Sequence, residues 1–313
     1  MDLNRHPASG MRNSLQNRRL VVLHSPSTII LSSLWVPIFT FLAFLVYVDD
    51  VLLTGSLDIL IAPVKAYLDR LFTIKDLGYA KYFLGIEIVR SDRGMLLTQH
   101  KYISDIVCDA GLQNSKATTK PLLVGIRLTS DGGVALPNPE TYRRLVGRLV
   151  YLNFTRPNIS YATQQLSQFL QHPCKQHLDA ALHLVKYLKG CPSNGLFYST
   201  RSSLNLSAHC DADWASCHDS RRSLMGFCIF LGSSLISWKT KKQNTVSRST
   251  AEAEYQSMGA TSCELTWMKY LLQNLHIPVH TPVPFYCDNK VALTLLKIQL
   301  STKGLNIWRL IVT

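Results

Sequence analysis

The amino-acid sequence predicts an α/β fold, and three observations carry that expectation. From residue 195 onward, short strand-like runs and one long helix follow each other in the order β-β-β-α-β-α. Between residues 140 and 189, apolar residues recur at helical spacing in three runs. Around residue 50, two apolar runs rich in Val, Leu and Phe flank a pair of acids, as in a hairpin. The 313 residues are 47% apolar and 17% charged, which excludes wholesale disorder and a polytopic membrane protein.

The elements follow in order. Leu20 to Val48 carry no Lys, Arg, Asp or Glu, so hydropathy alone offers a membrane span at 28–48. Pro37 interrupts that run, its Phe, Val, Ile and Trp are strand formers, and it ends in Asp49-Asp50 before Val51-Leu52-Leu53. The stronger expectation is a buried hairpin over 41–54 with a two-residue acidic turn, and no membrane partner. Ser56 to Phe72 has helical spacing with Ser56 as cap, weakened by Pro63. Tyr82–Val89 and Met95–Thr98 read as strands joined at Ser91-Asp92-Arg93-Gly94, and Tyr102–Ala110 as a helix ended by Gly111. Residues 113–140 read as a linker. Helices are expected at 140–152, 158–171 and 177–189, the last stopped by Gly190 and Pro192. Strands follow at Gly195–Ser199, Leu204–Cys210, Phe227–Leu231 and Leu235–Trp238. A helix then spans Ser249–Leu275, a strand spans Val283–Cys287, and a helix starts at Asn289.

Thirty-three Lys and Arg against 20 Asp and Glu give a formal charge of +13, which favours an acidic partner such as nucleic acid. The eight cysteines form no C-x-x-C pair and read as reduced core thiols of a reducing, cytoplasmic compartment. No P-loop, nucleophile elbow or dinucleotide fingerprint is present, so no small-molecule cofactor is expected.

Three features carry chemistry. Tyr47-Val48-Asp49-Asp50 places two carboxylates at a tight turn, where a divalent metal relieves their cost; oxygen ligands suit magnesium. Asp211 and Asp288 each end a strand, while Glu252 and Glu254 lie in the first turns of one helix. Carboxylates so placed can converge on a metal and support phosphodiester hydrolysis; taken singly, each is as readily a helix cap or a first-turn acid. Lys239, Lys241, Lys242 and Arg248 lie in an acid-free stretch opened by Trp238, either a phosphate-backbone contact or a solvated loop.

Taken together, the chain resembles the C-terminal part of a copia-type retrotransposon Pol polyprotein over about residues 41–297. The resemblance rests on Leu45-Val46-Tyr47-Val48-Asp49-Asp50, Lys81-Tyr82-Phe83-Leu84-Gly85-Ile86-Glu87 and Tyr142-Arg143-Arg144-Leu145-Val146-Gly147. It continues in Thr155-Arg156-Pro157-Asn158, Asp211-Ala212-Asp213-Trp214-Ala215, Ala251-Glu252-Ala253-Glu254-Tyr255 and Cys287-Asp288-Asn289. Residues 1–40 form an atypical apolar segment outside the resemblance, which implies the end of a reverse-transcriptase palm and thumb at 41–125. A helical connection at 126–194 and a C-terminally truncated RNase H-like domain at 195–313 would follow. The implied fold is an α+β palm remnant plus an RNase H-like mixed sheet with flanking helices.

By the same resemblance, Asp49 and Asp50 match the polymerase metal pair. Asp211, Glu254 and Asp288 match the ribonuclease carboxylates, with magnesium or manganese as cofactor and an RNA–DNA hybrid or other nucleic acid as partner. Glu254 is preferred to Glu252, and Asp213 is expected to have left the strand. Residues 1–48 hold one acid, Asp2, and no Asp, Glu or His follows Asp288, so both sites are expected to be incomplete. RNA cleavage in hybrids is the expected residual activity; an inactive relic that only binds nucleic acid is the rival.

Overall fold

The computed structural model describes residues 30–36, 40–48, 50–55, 58–72, 74–131, 133–275, 277–294 and 308–312. The chain divides into two compact units, Met1–Phe83 with Leu271–Ile277, and Leu84–Tyr270 with Pro278–Thr313.

In the first unit, β1 (Ile30–Val36), β2 (Thr40–Tyr47) and β3 (Asp50–Gly55) form an antiparallel sheet in the order β1-β2-β3. The described part of the 28–48 run is thus strand, and no helix among the described residues is long and apolar enough to cross a membrane. The expected hairpin is present, but its turn is shifted. Tyr47 pairs with Asp50, so Asp50 opens β3 instead of lying in the turn. Val48 takes a positive φ of 50°, a strained conformation for a β-branched residue. Nor is the hairpin buried throughout: Leu42 and Ala43 are buried, whereas Asp50 and Val51 are exposed. Helix α1 (Asp58–Phe72) holds Pro63 inside it and buries no residue. Its Lys65 pairs with Asp76 at 2.9 Å, and Asp58 accepts a hydrogen bond from Tyr79 at 2.8 Å. The unit closes with the two-residue strand β4 (Tyr82–Phe83).

The second unit starts where the expected Tyr82–Val89 strand breaks, because Leu84 and Gly85 both take positive φ. Strands β5 (Ile86–Ser91), β6 (Gly94–Thr98) and β7 (Leu196–Ser199) pair antiparallel. The first of the expected C-terminal strands therefore pairs by hydrogen bonds with β6 and not with the strands that follow it. Two glycines permit this approach: a Cβ at Gly94 would lie 2.1 Å from the Tyr198 carbonyl oxygen, and one at Gly195 2.1 Å from that of Leu97.

Helices α2 (His100–Asp109), α3 (Pro139–Tyr151), α4 (Ser160–Ser167) and α5 (Lys175–Gly190) share one core. Asn138 caps α3 by accepting from the Glu140 amide, with Pro139 in the first turn where no donor is needed. Ile106, Tyr142, Leu149, Leu184 and Leu188 are fully buried there. Leu128, from the expected linker, joins them. Buried His177 accepts from the Cys174 amide through Nδ1 at 3.0 Å, so its Nε2 carries the proton and donates to the Thr129 carbonyl at 3.0 Å. Phe169 stacks on it with centroids 4.0 Å apart, and burial holds its pKa below the usual 6.5.

The third sheet holds β8 (Leu206–Asp213), β9 (Leu224–Leu231), β10 (Ser234–Lys242), β11 (Val283–Cys287) and β12 (Trp308–Val312) in the order β10-β9-β8-β11-β12. The first three pair antiparallel, while β11 runs parallel to β8 and β12 parallel to β11. β8, β9 and β10 are longer than expected; β8 runs to Asp213 and β10 to Lys242. Along β8, Leu206, Ala208, Cys210 and Ala212 are buried, and His209, Asp211 and Asp213 are exposed. This is the period-two alternation of a strand with one covered face. The small side chains on the buried face admit helix α6 (Thr250–Asn274). The Ser257 hydroxyl donates to the Asp211 carbonyl at 3.0 Å, the Ser237 hydroxyl to the Glu264 carboxylate at 2.9 Å, and the Gln243 amide to the Ala253 carbonyl at 2.8 Å. These bonds fix the helix over β8 and β10.

Candidate functional site

Three elements bring three carboxylates together at one end of the third sheet. Asp211 lies in β8, Asp288 directly follows β11, and Glu254 lies in the second turn of α6. Because β11 runs parallel to β8, with Tyr286 opposite His209, Cys210-Asp211 and Cys287-Asp288 fall side by side. One carboxylate oxygen from each of Asp211, Glu254 and Asp288 lies within 4.8 Å of the others. The Ala212 amide hydrogen is shared between the Asp211 carboxylate at 2.9 Å and Glu254 Oε1 at 3.1 Å, which draws these two acids together. None of the ion pairs among the described residues reaches the group. Burial pushes the Glu254 carboxyl up to about 8, against the pull of the Ala212 hydrogen bond. Three acids gathered without a compensating cation are what a divalent metal site presents.

Glu252 has a different task. Its carboxylate accepts from the Arg248 amide at 2.8 Å, and its own amide donates to the Ser249 hydroxyl at 3.2 Å. It closes the start of α6 as a capping residue. Asp213 corrects the sequence reading: it has not left the strand but ends β8, paired with Leu224 on the side of Asp211. Partial desolvation and the Asp211 charge raise its pKa. It nonetheless stands outside the converging group.

Beside Asp211 a groove of about 270 Å³ is lined by Pro157, Ser160, His209, Trp238 and Lys239. His209 stacks on Tyr286 at 4.4 Å. Three of the four cations of the basic stretch lie on β10, and Arg248 lies in the segment that follows it. Lys239 and Lys241 are exposed on β10, whereas the half-buried Lys242 ammonium donates to Gln168 at 2.8 Å. Arg248 is exposed just before α6. In the first unit, Asp50 is exposed at the start of β3, and Asp49 lies outside the described residues. Among the described residues, Asp50 belongs to no group of three or more converging metal-ligand side chains.

Sequence reasoning missed a second group. Cys210 Sγ, Cys287 Sγ and a Glu254 carboxylate oxygen also lie within 4.8 Å of one another, and all three residues are buried. The Cys210 thiol hydrogen-bonds to Cys287, which pulls the Cys287 pKa down; that contact and burial push Cys210 up. The repeated Cys-Asp dipeptide at two strand ends was the available signal. All eight cysteines are free, but Cys108 and Cys263 are exposed and not core thiols.

Residues 35–124 match the family described as reverse transcriptase (RNA-dependent DNA polymerase). Over 90% of its length the chain is 39% identical to the Retrovirus-related Pol polyprotein from transposon RE1 of Arabidopsis thaliana, of which it covers 18%. It is 35% identical over 82% of its length to the Retrovirus-related Pol polyprotein from transposon TNT 1-94 of Nicotiana tabacum, covering 20% of that protein. An uncharacterized mitochondrial protein of Arabidopsis thaliana is 43% identical to it, with 71% of this chain and 92% of the other aligned. The chain belongs to the copia-type retrotransposon Pol family. It spans about a fifth of the Pol polyproteins named here, and its own reverse-transcriptase match lies at residues 35–124. No solved structure matches it.

Proposed function

We propose that this Pol segment cleaves the RNA strand of an RNA–DNA hybrid at the Asp211–Glu254–Asp288 site, with magnesium or manganese as cofactor. The observation that carries the reading is the convergence of those three carboxylates from β8, α6 and the end of β11. Their oxygens suit a hard divalent ion, and no cation of the chain competes for them among the described ion pairs. When bound, such ions activate water and stabilise the leaving oxygen. The protein residues do the holding. Asp211 lies in β8 and Asp288 directly follows the adjacent parallel strand β11, and the Ala212 amide orients Asp211 and Glu254 toward one point. The groove beside Asp211, with Trp238 and His209 in its wall, offers stacking surface for a strand of nucleic acid, and Lys239 offers charge for its backbone. On this reading the segment joins a palm and thumb remnant at 41–125, a connection at 126–194 and the ribonuclease-like region from 195.

The test is cleavage of a labelled hybrid by the full chain across a magnesium and manganese titration. Metal-dependent cutting that disappears in Asp211→Asn and Asp288→Asn supports the reading. A folded chain that never cuts leaves only nucleic-acid binding by charge.

A further inference from the structure

We propose that Cys210, Cys287 and Glu254 form a binding site for a thiophilic divalent cation, zinc, directly beneath the carboxylate group and sharing Glu254 with it. Only the shared use of Glu254 rests on the function proposed above.

The site follows from register. β11 pairs with β8 in parallel, with Phe285 opposite Ala208 and Tyr286 opposite His209, so Cys287 is the cross-strand neighbour of Cys210. Both side chains fall on the covered face of the sheet, where their residues are 1% and 8% exposed. Glu254 enters from α6 at 5% exposure, with Oε2 3.7 Å from Cys287 Sγ. Two sulfurs and one carboxylate oxygen, all within 4.8 Å of each other, supply three of the four ligands of a tetrahedral zinc site. The pairing is selective. The Asp211 and Asp288 side offers only oxygen, which suits a hard ion, while the cysteine side offers sulfur, which suits a soft one. Binding is balanced by protons: as two zinc–thiolate bonds and one zinc–carboxylate bond form, the two thiol protons and the proton held by the Glu254 carboxyl pass to solvent. Glu254 is common to both groups, so zinc on the sulfur side competes with the oxygen side for that ligand.

The experiment titrates the reduced, metal-free full chain with cobalt(II) as a spectroscopic probe for zinc, without nucleic acid. A thiolate-to-cobalt charge-transfer band that saturates at one equivalent and is displaced by zinc is expected. It should persist in Asp211→Asn and Asp288→Asn and vanish in Cys210→Ser and Cys287→Ser. Zinc K-edge absorption of the wild-type chain needs no variant and should find two sulfur ligands at about 2.3 Å. No band and no sulfur ligation in the folded wild-type chain would overturn the site, as would a band surviving either cysteine substitution. Since these readouts involve no cleavage, they decide the site even if the ribonuclease reading fails. If the chain does cleave hybrid in magnesium, one equivalent of zinc should slow it at least tenfold in wild type and not in Cys287→Ser. Equal cleavage with and without bound zinc would overturn the sharing of Glu254.

Discussion

The hairpin of β2 and β3 and the sheet of β8 and β11 both carry acids at strand ends, yet only the second gathers them. Asp50 stands exposed at the start of β3 and, among the described residues, joins no group of three or more converging ligands. Asp211, Glu254 and Asp288 come from three elements locked by register and by bonds from α6. A pair of adjacent acids is a motif; a site needs further elements that aim ligands at the same point. The same contrast runs through packing. Helix α1 buries no residue, while α5 buries six, including Leu184 and Leu188 at 0% exposure.

Four outcomes would break or sharpen this contrast. The largest is catalytic. Asp211→Asn should reduce hybrid cleavage by on the order of a thousandfold or more, as for one member of a cooperating set. Asp50→Asn should leave hybrid cleavage unchanged, and equal losses in both variants would erase the distinction between the regions.

Next is stability, read as denaturant midpoints. Leu184→Ala removes a fully buried side chain and should cost about 2–5 kcal/mol. Leu68→Ala, on the helix without buried residues, should cost under about 1 kcal/mol. A large loss from Leu68→Ala would show that α1 is packed far better than its exposure indicates.

The pH dependence comes third. His177 is held neutral in the fold, its pKa below 6.5 because burial disfavours the charged form. A lowered basic pKa means that the unfolded chain binds more protons, so stability is intact above 6.5 and is lost as pH falls through 6.5 toward the folded value. His177→Gln should flatten that part of the curve. An unchanged acid limb would assign it to other groups.

The smallest effect is electrostatic. With a formal charge of +13, binding to nucleic acid should weaken steeply with salt. Lys239→Ala should lower the slope of log affinity against log salt by about 1, whereas Lys242→Ala, whose ammonium is bound to Gln168, should barely alter it. Equal slopes in the two variants would mean that the internal bond does not withdraw Lys242.

How much of this was legible in the sequence differs by element. The hairpin, helices α3 and α5 and strand β11 were readable because their apolar periodicity is local. The turn was misplaced by one residue, since positive φ at a valine, Val48, has no composition signal. The partner of β7 was not legible: its pairing with β6 joins residues about a hundred apart and depends on two glycines that meet backbone. Asp213 was misread because the strand end was set at the last apolar residue, while β8 continues through alternating Asp211, Ala212 and Asp213. The choice of Glu254 over Glu252 came from family resemblance; its physical reason, one acid over the Ala212 amide and the other capping a helix, needed the fold. The thiol pair needed the register of β8 and β11.

Glu252 and Glu254 also give the most direct test of the central claim, because they share one helix and only Glu254 points into the converging group. The measurement is hybrid cleavage by the full chain in magnesium or manganese, comparing Glu254→Gln with Glu252→Gln after both are shown to be folded. Cleavage lost in Glu254→Gln and kept in Glu252→Gln is the expected result. Cleavage kept in Glu254→Gln, or lost only in Glu252→Gln, would contradict a site built on Asp211, Glu254 and Asp288.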